Sequence, residues 1–109
     1  MGIIVFNCAK IIITTLPKTK VKTFVNRLLS KKLAACVNIL HNVESVYWWQ
    51  GKIVTDKESI LLIKTTKNNI RSIKNFFTEH HPYAVPELLI QDVKGSDNYI
   101  NWLKQEAKK

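Results

Sequence analysis

Apolar residues after Pro17 fall at Val21, Phe24, Val25, Leu28 and Leu29, with lysines between them. Steps of three and four put these side chains on one face of a helix, which should close near Lys31–Lys32, where positive charge suits the negative end of the helix dipole. The preceding run "KIIITT" (10–15) is β-branched and ends at "LP", the mark of a buried strand. "LAACVNIL" (33–40) resumes as a strand, "VESVYWWQGKIV" (43–54) runs through Gly51, and "ESILLIKTT" (58–66) returns beside it. Gly51 is the natural turn, since glycine accepts the positive φ of tight hairpins. Asn68–Asn69 open a second amphipathic helix with Ile70, Ile73, Phe76 and Phe77, and the prolines of "HPYAVP" break it. "ELLIQDV" is a last strand. Ser96 or Asp97 caps a final helix that carries Tyr99, Ile100, Trp102 and Leu103.

The order β-α-β-β-α-β plus a C-terminal helix defines an α+β, ferredoxin-like split βαβ fold with a long central hairpin. Both main helices should cover one face of the sheet and leave the other bare. Hairpin arms of about sixteen residues would reach about 50 Å, against about 34 Å across a compact chain of this length. They must bend, at His41–Asn42 and Thr55–Asp56, or protrude. Tyr47 and Trp49 share one face of such a ribbon and Trp48 takes the other, so both faces are adhesive. Self-association in a closed symmetric assembly removes that hazard.

With 109 residues and 46% apolar content, the chain is expected to be one ordered domain over 1–109. Lys10 splits the apolar opening into pieces too short for a leader or a membrane span, and Phe6 stands where a myristoylation signal needs Ser or Thr, so a soluble, cytoplasmic protein with no membrane partner is expected. Seventeen Lys+Arg against eight Asp+Glu give a net charge of +9. Only Arg27 and Arg71 are arginines, and the lysines are scattered, so a nucleic-acid partner is not expected. Three glycines leave no phosphate-binding loop, and no nucleophile–base set follows from spacing, so no enzyme activity and no organic cofactor are expected.

"LAACVNI" (33–39), "YWWQGKI" (47–53), "IKT" (63–65), "HPYAVPE" (81–87) and "YINWL" (99–103) occur in an order and spacing that resemble the CutA divalent-cation tolerance family over residues 10–104. The resemblance implies a ferredoxin-like subunit assembled as a homotrimer, with binding of copper or another divalent cation and a part in metal tolerance. The chain departs from the common pattern at His41–Asn42, where many members have Pro-Gly. It departs again at Gln50 and Ala84, where acidic residues are common, so two possible anionic ligands are missing.

Thiolate and imidazole suit copper and zinc, which makes His80, His81 and Cys36 the candidate metal ligands, with Cys8 and His41 behind them. Their spacing matches no standard zinc motif, so a site would have to be assembled by the fold or between subunits. The alternatives are structural: His81 hydrogen-bonded within the "HPY" turn, and the cysteines as small buried hydrophobes. A second set, Tyr47, Trp49, Lys64, His81, Tyr83, Glu87 and Trp102, gathers polar tips on an aromatic frame. The family pattern places such residues near a cleft between subunits, as a small-ligand pocket or as a network fixing trimer register. In the pocket reading the protein is a trimeric small-ligand sensor or signalling scaffold, similar in plan to the small nitrogen-regulatory trimers.

Overall fold

Four runs of alternating or β-branched residues pair as one antiparallel sheet in the order β2-β3-β1-β4, in a computed structural model that describes Ile3 and residues 6–108. The elements are β1 (Phe6–Leu16), α1 (Lys18–Ser30), β2 (Cys36–Trp49), β3 (Lys52–Thr65), a 3-10 turn (Lys67–Asn69), α2 (Ile70–His80), β4 (Leu89–Ser96) and α3 (Asp97–Glu106). This is the α+β, ferredoxin-like arrangement expected from the pattern, with β2 and β4 at the sheet edges. Residues 1, 2, 4 and 5, in the apolar opening, lie outside the described residues.

Alternation decides which side chains meet the helices. Ile12, Leu16, Leu61 and Ile63 are buried from one face of the sheet against Val21, Phe24, Val25 and Leu28 of α1 and Ile73, Phe76 and Phe77 of α2. Phe24 meets Phe76 and Phe77 edge-on, at centroid separations of 5.0 and 5.4 Å, the orientation aromatic quadrupoles favour. Polar groups sealed at this boundary find partners. Thr65 Oγ1 donates to the Leu33 carbonyl at 2.6 Å. Asn69 sits at the N-cap of α2 but leaves its own helix uncapped. Its amide instead donates to the carbonyls of Leu33 and Ala107, tying the ends of α1 and α3 together.

The opposite face is not left wholly bare. Ile100, Leu103 and Ala107 of the C-terminal segment pack on Ala9, with Val93 alongside, so α3 closes one end of that face. β4 and α3 approach so closely that a Cβ at Gly95 would lie 2.9 Å from Ile100 Cδ1. Tyr99 and Trp102, on the same helix, stay exposed. Ile11, Ile13, Ile60 and Leu62 remain only half-covered.

The hairpin protrudes, and the molecule measures 54 × 27 × 21 Å. The pairing breaks between Leu40 and Val43, where two residues oppose Ser59. Asn42 there takes φ 61°, and His41 Nδ1 lies 2.7 Å from Ser59 Oγ. That bulge shifts the outer arm by one residue, so Val43, Ser45, Tyr47 and Trp49 share the face of Leu40 and Cys36. No register break occurs at Thr55–Asp56, the second expected bend. Beyond the bulge no helix covers either face, and Trp48 is 72% and Trp49 53% exposed.

The arms close through Gln50 (φ 50°) and Gly51 (φ 78°) between the Trp49–Lys52 pair, the left-handed pair of angles that a two-residue hairpin turn needs. A Cβ on Gly51 meets nothing within 4 Å, so substitution there tests backbone conformation alone. Gly51→Ala should lower stability by about 1 kcal/mol and Gln50→Asn should raise it by a few tenths. Urea unfolding curves of the two variants check this.

Candidate functional site

Two layers of the fold divide the candidate ligands. His80 ends α2 in the helical layer, where its ring packs at a tilt against Phe76 with centroids 4.6 Å apart. Its Nδ1 accepts from Arg27 Nη1 at 3.2 Å, and its Nε2 lies 3.6 Å from Glu79. Accepting at Nδ1 places the neutral ring's proton on Nε2, so neither nitrogen keeps a free lone pair while Arg27 stays. His81 follows in extended backbone, is 9% exposed, and packs against Phe24 and Phe77. Its Nδ1 accepts the Tyr83 backbone N–H at 3.1 Å. Its Nε2 faces the Thr15 carbonyl at 3.0 Å and Thr14 Oγ1 at 3.1 Å, so the Nε2 proton is donated there. Both ring nitrogens therefore fasten the "HPY" turn to β1. Burial pulls the imidazole below its ordinary pKa of 6.5, against the opposing pull of the Thr15 carbonyl and Glu58.

Cys36 lies on the other face of the sheet, half-buried, at the start of edge strand β2 and opposite Lys64 of β3. Among the described residues no three Cys, His, Asp or Glu side chains converge in a way that could hold a metal ion. Within one chain the donors therefore do not fit a resident cation, and a site with three protein ligands needs donors from more than one copy. Cys8, on β1, is exposed.

The second set separates into two groups. Lys64 Nζ donates to Tyr99 Oη at 3.3 Å and lies 5.6 Å from that ring's centroid, while Trp102 packs on Tyr99 at 5.5 Å. Tyr47, Tyr83 and Glu87 instead gather around Asp56 and Glu58. Tyr47 Oη donates to Asp56, and Tyr83 Oη donates to Glu58 at 2.7 Å. Glu58 and Lys64 sit on the same face of β3 six residues apart, roughly 20 Å at the strand rise. Trp49 stands at the hairpin turn, away from both groups.

Asp56 and Glu58 escaped the sequence reading, although an i, i+2 acidic pair facing Tyr47 across the hairpin was visible as a pattern. Their charge dominates this end of the face. Desolvation and the bond to Glu58 raise the Tyr83 phenol far above its ordinary value. The Asp56 bond, with a little desolvation, raises that of the exposed Tyr47. Desolvation, helped by repulsion from Glu58, raises the Glu87 carboxyl. The carboxylate oxygens of the group accept hydrogen bonds, and its two phenols donate them.

The elements and their order define a ferredoxin-like α+β protein with an extended hairpin and polar–aromatic groups on its half-open face. The chain belongs to the CutA1 divalent ion tolerance family, whose family model matches residues 10–106. It is 38% identical over 100 residues to the chloroplastic protein CutA 1 of Oryza sativa, covering 90% of this chain and 56% of that one. The chain thus spans about half the length of the plant relatives it matches. Against the divalent-cation tolerance protein CutA of Thermus thermophilus it is 37% identical over 100 residues, covering 90% of this chain and 97% of the relative. The solved structure of the PII-like protein CutA from Nostoc superposes with a TM-score of 0.82 at 31% identity, covering 91% of this chain and 97% of that one. Among the described residues, no helix is long and apolar enough to cross a membrane.

A neutral His81 held by both nitrogens makes stability pH-dependent with a definite sign. Its folded pKa is depressed, so the contribution is complete above the unfolded value and is lost as pH falls through the folded one. The urea midpoint should drop below about pH 6.5. His81→Gln should be less stable at pH 7.5 yet lose part of that slope. Glu87, whose pKa is raised, gains stability on acidification in both proteins, so the difference between them isolates His81. Parallel slopes would refute the assignment.

Proposed function

We infer that the protein works in the cytosol as a homotrimer of single-domain subunits that takes up copper or a related divalent cation as cargo, and so contributes to metal tolerance by binding rather than catalysis. The observation that carries the reading is the uncovered hairpin. Val46, Tyr47, Trp48, Trp49 and Ile53 are exposed on both of its faces, beside the open edge of β2. Neighbouring copies that pack on these side chains would remove from water a patch otherwise prone to aggregation. The same packing supplies what one chain lacks for a cation, donors from a second copy. Cys36 is the first ligand in this reading, because among the described residues its sulfur is not already committed to a hydrogen bond. His80 is the second, after release from Arg27, and His81 would join only by giving up the bonds that hold its turn.

A second reading, a trimeric small-ligand sensor or scaffold, is favoured by one observation. Tyr47, Tyr83, Asp56, Glu58 and Glu87 form a polar group on a half-open face without a basic side chain in ion-pair contact among the described residues. The Nostoc structure is titled a PII-like protein, which supports the same reading.

Native mass spectrometry under reducing conditions separates them. The apo protein should appear at about 38 kDa, three times the 12.6 kDa chain, and should gain a fixed, saturable number of copper ions. Cys36→Ser and His80→Ala should each lower that number, and Trp48→Glu should shift the protein toward monomer. A trimer with only unsaturable copper adducts would favour the sensor reading. A wild-type monomer would overturn both.

A further inference from the structure

A shallow groove of about 240 Å³ runs between α1 and edge strand β2, on the helical side of the sheet and away from both groups described above. It is lined by Lys18, Val21, Lys22, Val25, Asn26, Ile39 and His41. Lys18, Lys22 and Asn26 step by four along α1, so their side chains form one polar wall. Val21 and Val25 step by four beside them and make an apolar floor with Ile39 from β2. His41 closes one end, held by Ser59 at 2.7 Å, and Ser59 is itself fully buried.

We propose that this groove binds a small organic anion, a carboxylate or phosphate head on an apolar body about the size of one ring or a six-carbon chain. Charge selects the head. No carboxylate lines the groove, the first turn of α1 carries no acidic residue, and neither Lys18 nor Lys22 is in any ion pair among the described residues. Two ammonium groups on one wall repel a metal ion and attract an anion, and the chain's net charge of +9 adds long-range attraction of the same sign. The floor selects the body, since an inorganic anion would leave the exposed side of Ile39 without a partner, Val21 and Val25 beneath it being already packed in the core. Size sets the limit. The volume exceeds the roughly 150 Å³ of a cavity that takes benzene and falls below the roughly 300 Å³ where drug-sized pockets begin.

Proton–nitrogen correlation spectra of the full chain, recorded in excess chelator so that metal plays no part, test the proposal. Hexanoate and phenyl phosphate distinguish the two head groups, while 1-hexanol and inorganic phosphate each supply only half of the ligand. At least one organic anion should shift amides in residues 18–26 and 39–41 saturably, with both half-ligands weaker by about tenfold. Lys18→Gln/Lys22→Gln, on an exposed rim, should keep a folded spectrum and weaken binding by about tenfold. Equal binding of inorganic phosphate would reduce the site to counterion attraction, and equal binding of hexanol would remove the role of the lysines. Either result, undiminished binding by the double variant, or the absence of saturable shifts at these amides would overturn the proposal.

Discussion

Strand length and helix length do not match in this chain, and most of its surface chemistry follows from the difference. β2 and β3 have fourteen residues each, while α1 and α2 have thirteen and eleven. At their respective rises the strands reach roughly 46 Å and the helices only about 20 Å. Two helices therefore cover the inner half of the hairpin, and among the described residues no helix covers the outer half. The bulge at His41–Asn42 adds a second effect by turning Tyr47 and Trp49 to the face that carries Cys36. Hydrophobic side chains are thus distributed by two rules, packing against helices near the core and no intramolecular partner beyond it.

Cohesion of the inner half depends on a few polar ties as well as on the phenylalanine cluster. His81 joins the turn after α2 to β1, Thr65 and Asn69 hold the Leu33 carbonyl, and Asn69 also reaches Ala107. Each group is buried, so each bond prevents a larger desolvation cost than it contributes by itself. A histidine used this way is expensive to recruit as a metal ligand. Coordination at Nδ1 would displace the Tyr83 N–H, and coordination at Nε2 would displace the bonds to Thr14 and Thr15 and move the proton to Nδ1, where it would cost the Tyr83 bond as well.

Much of the architecture was legible because local and long-range signals agree. The spacing in α1, the β-branched run of β1 and the glycine at the hairpin turn each favour one conformation. Errors arose where a side chain acts across the fold. Asn69 resembles a helix cap but bonds Leu33 and Ala107. "LAA" at 33–35 looks like strand, yet Leu33 and Ala34 fill the core before β2 begins at Cys36. Of the four large side chains that mark the final helix, Ile100 and Leu103 are buried and Tyr99 and Trp102 are exposed, because the helix meets one end of the sheet. At the candidate site the aromatic and basic members were visible by residue type. Which of them meet was not, since Lys64 and Glu58 are six residues apart on one strand and therefore serve different groups. Asp56 and Glu58 were passed over because alternating charges on a hairpin arm usually mark a solvated face.

The sheet itself also limits what one copy can bind. Cys36 and the carboxylate–tyrosine group project from one face, whereas His80, His81 and the groove beside α1 belong to the other. A β-sheet layer is roughly 10 Å deep with its side chains, and metal–ligand bonds of about 2 Å cannot bridge it. A site that joins the Cys36 thiolate to these imidazoles is thus closed to the monomer. Symmetry can lift that restriction by bringing one copy's helical face to another's open face. Ligand type therefore reports geometry: soft-metal binding through Cys36 and His80 requires contact between opposite faces of two copies.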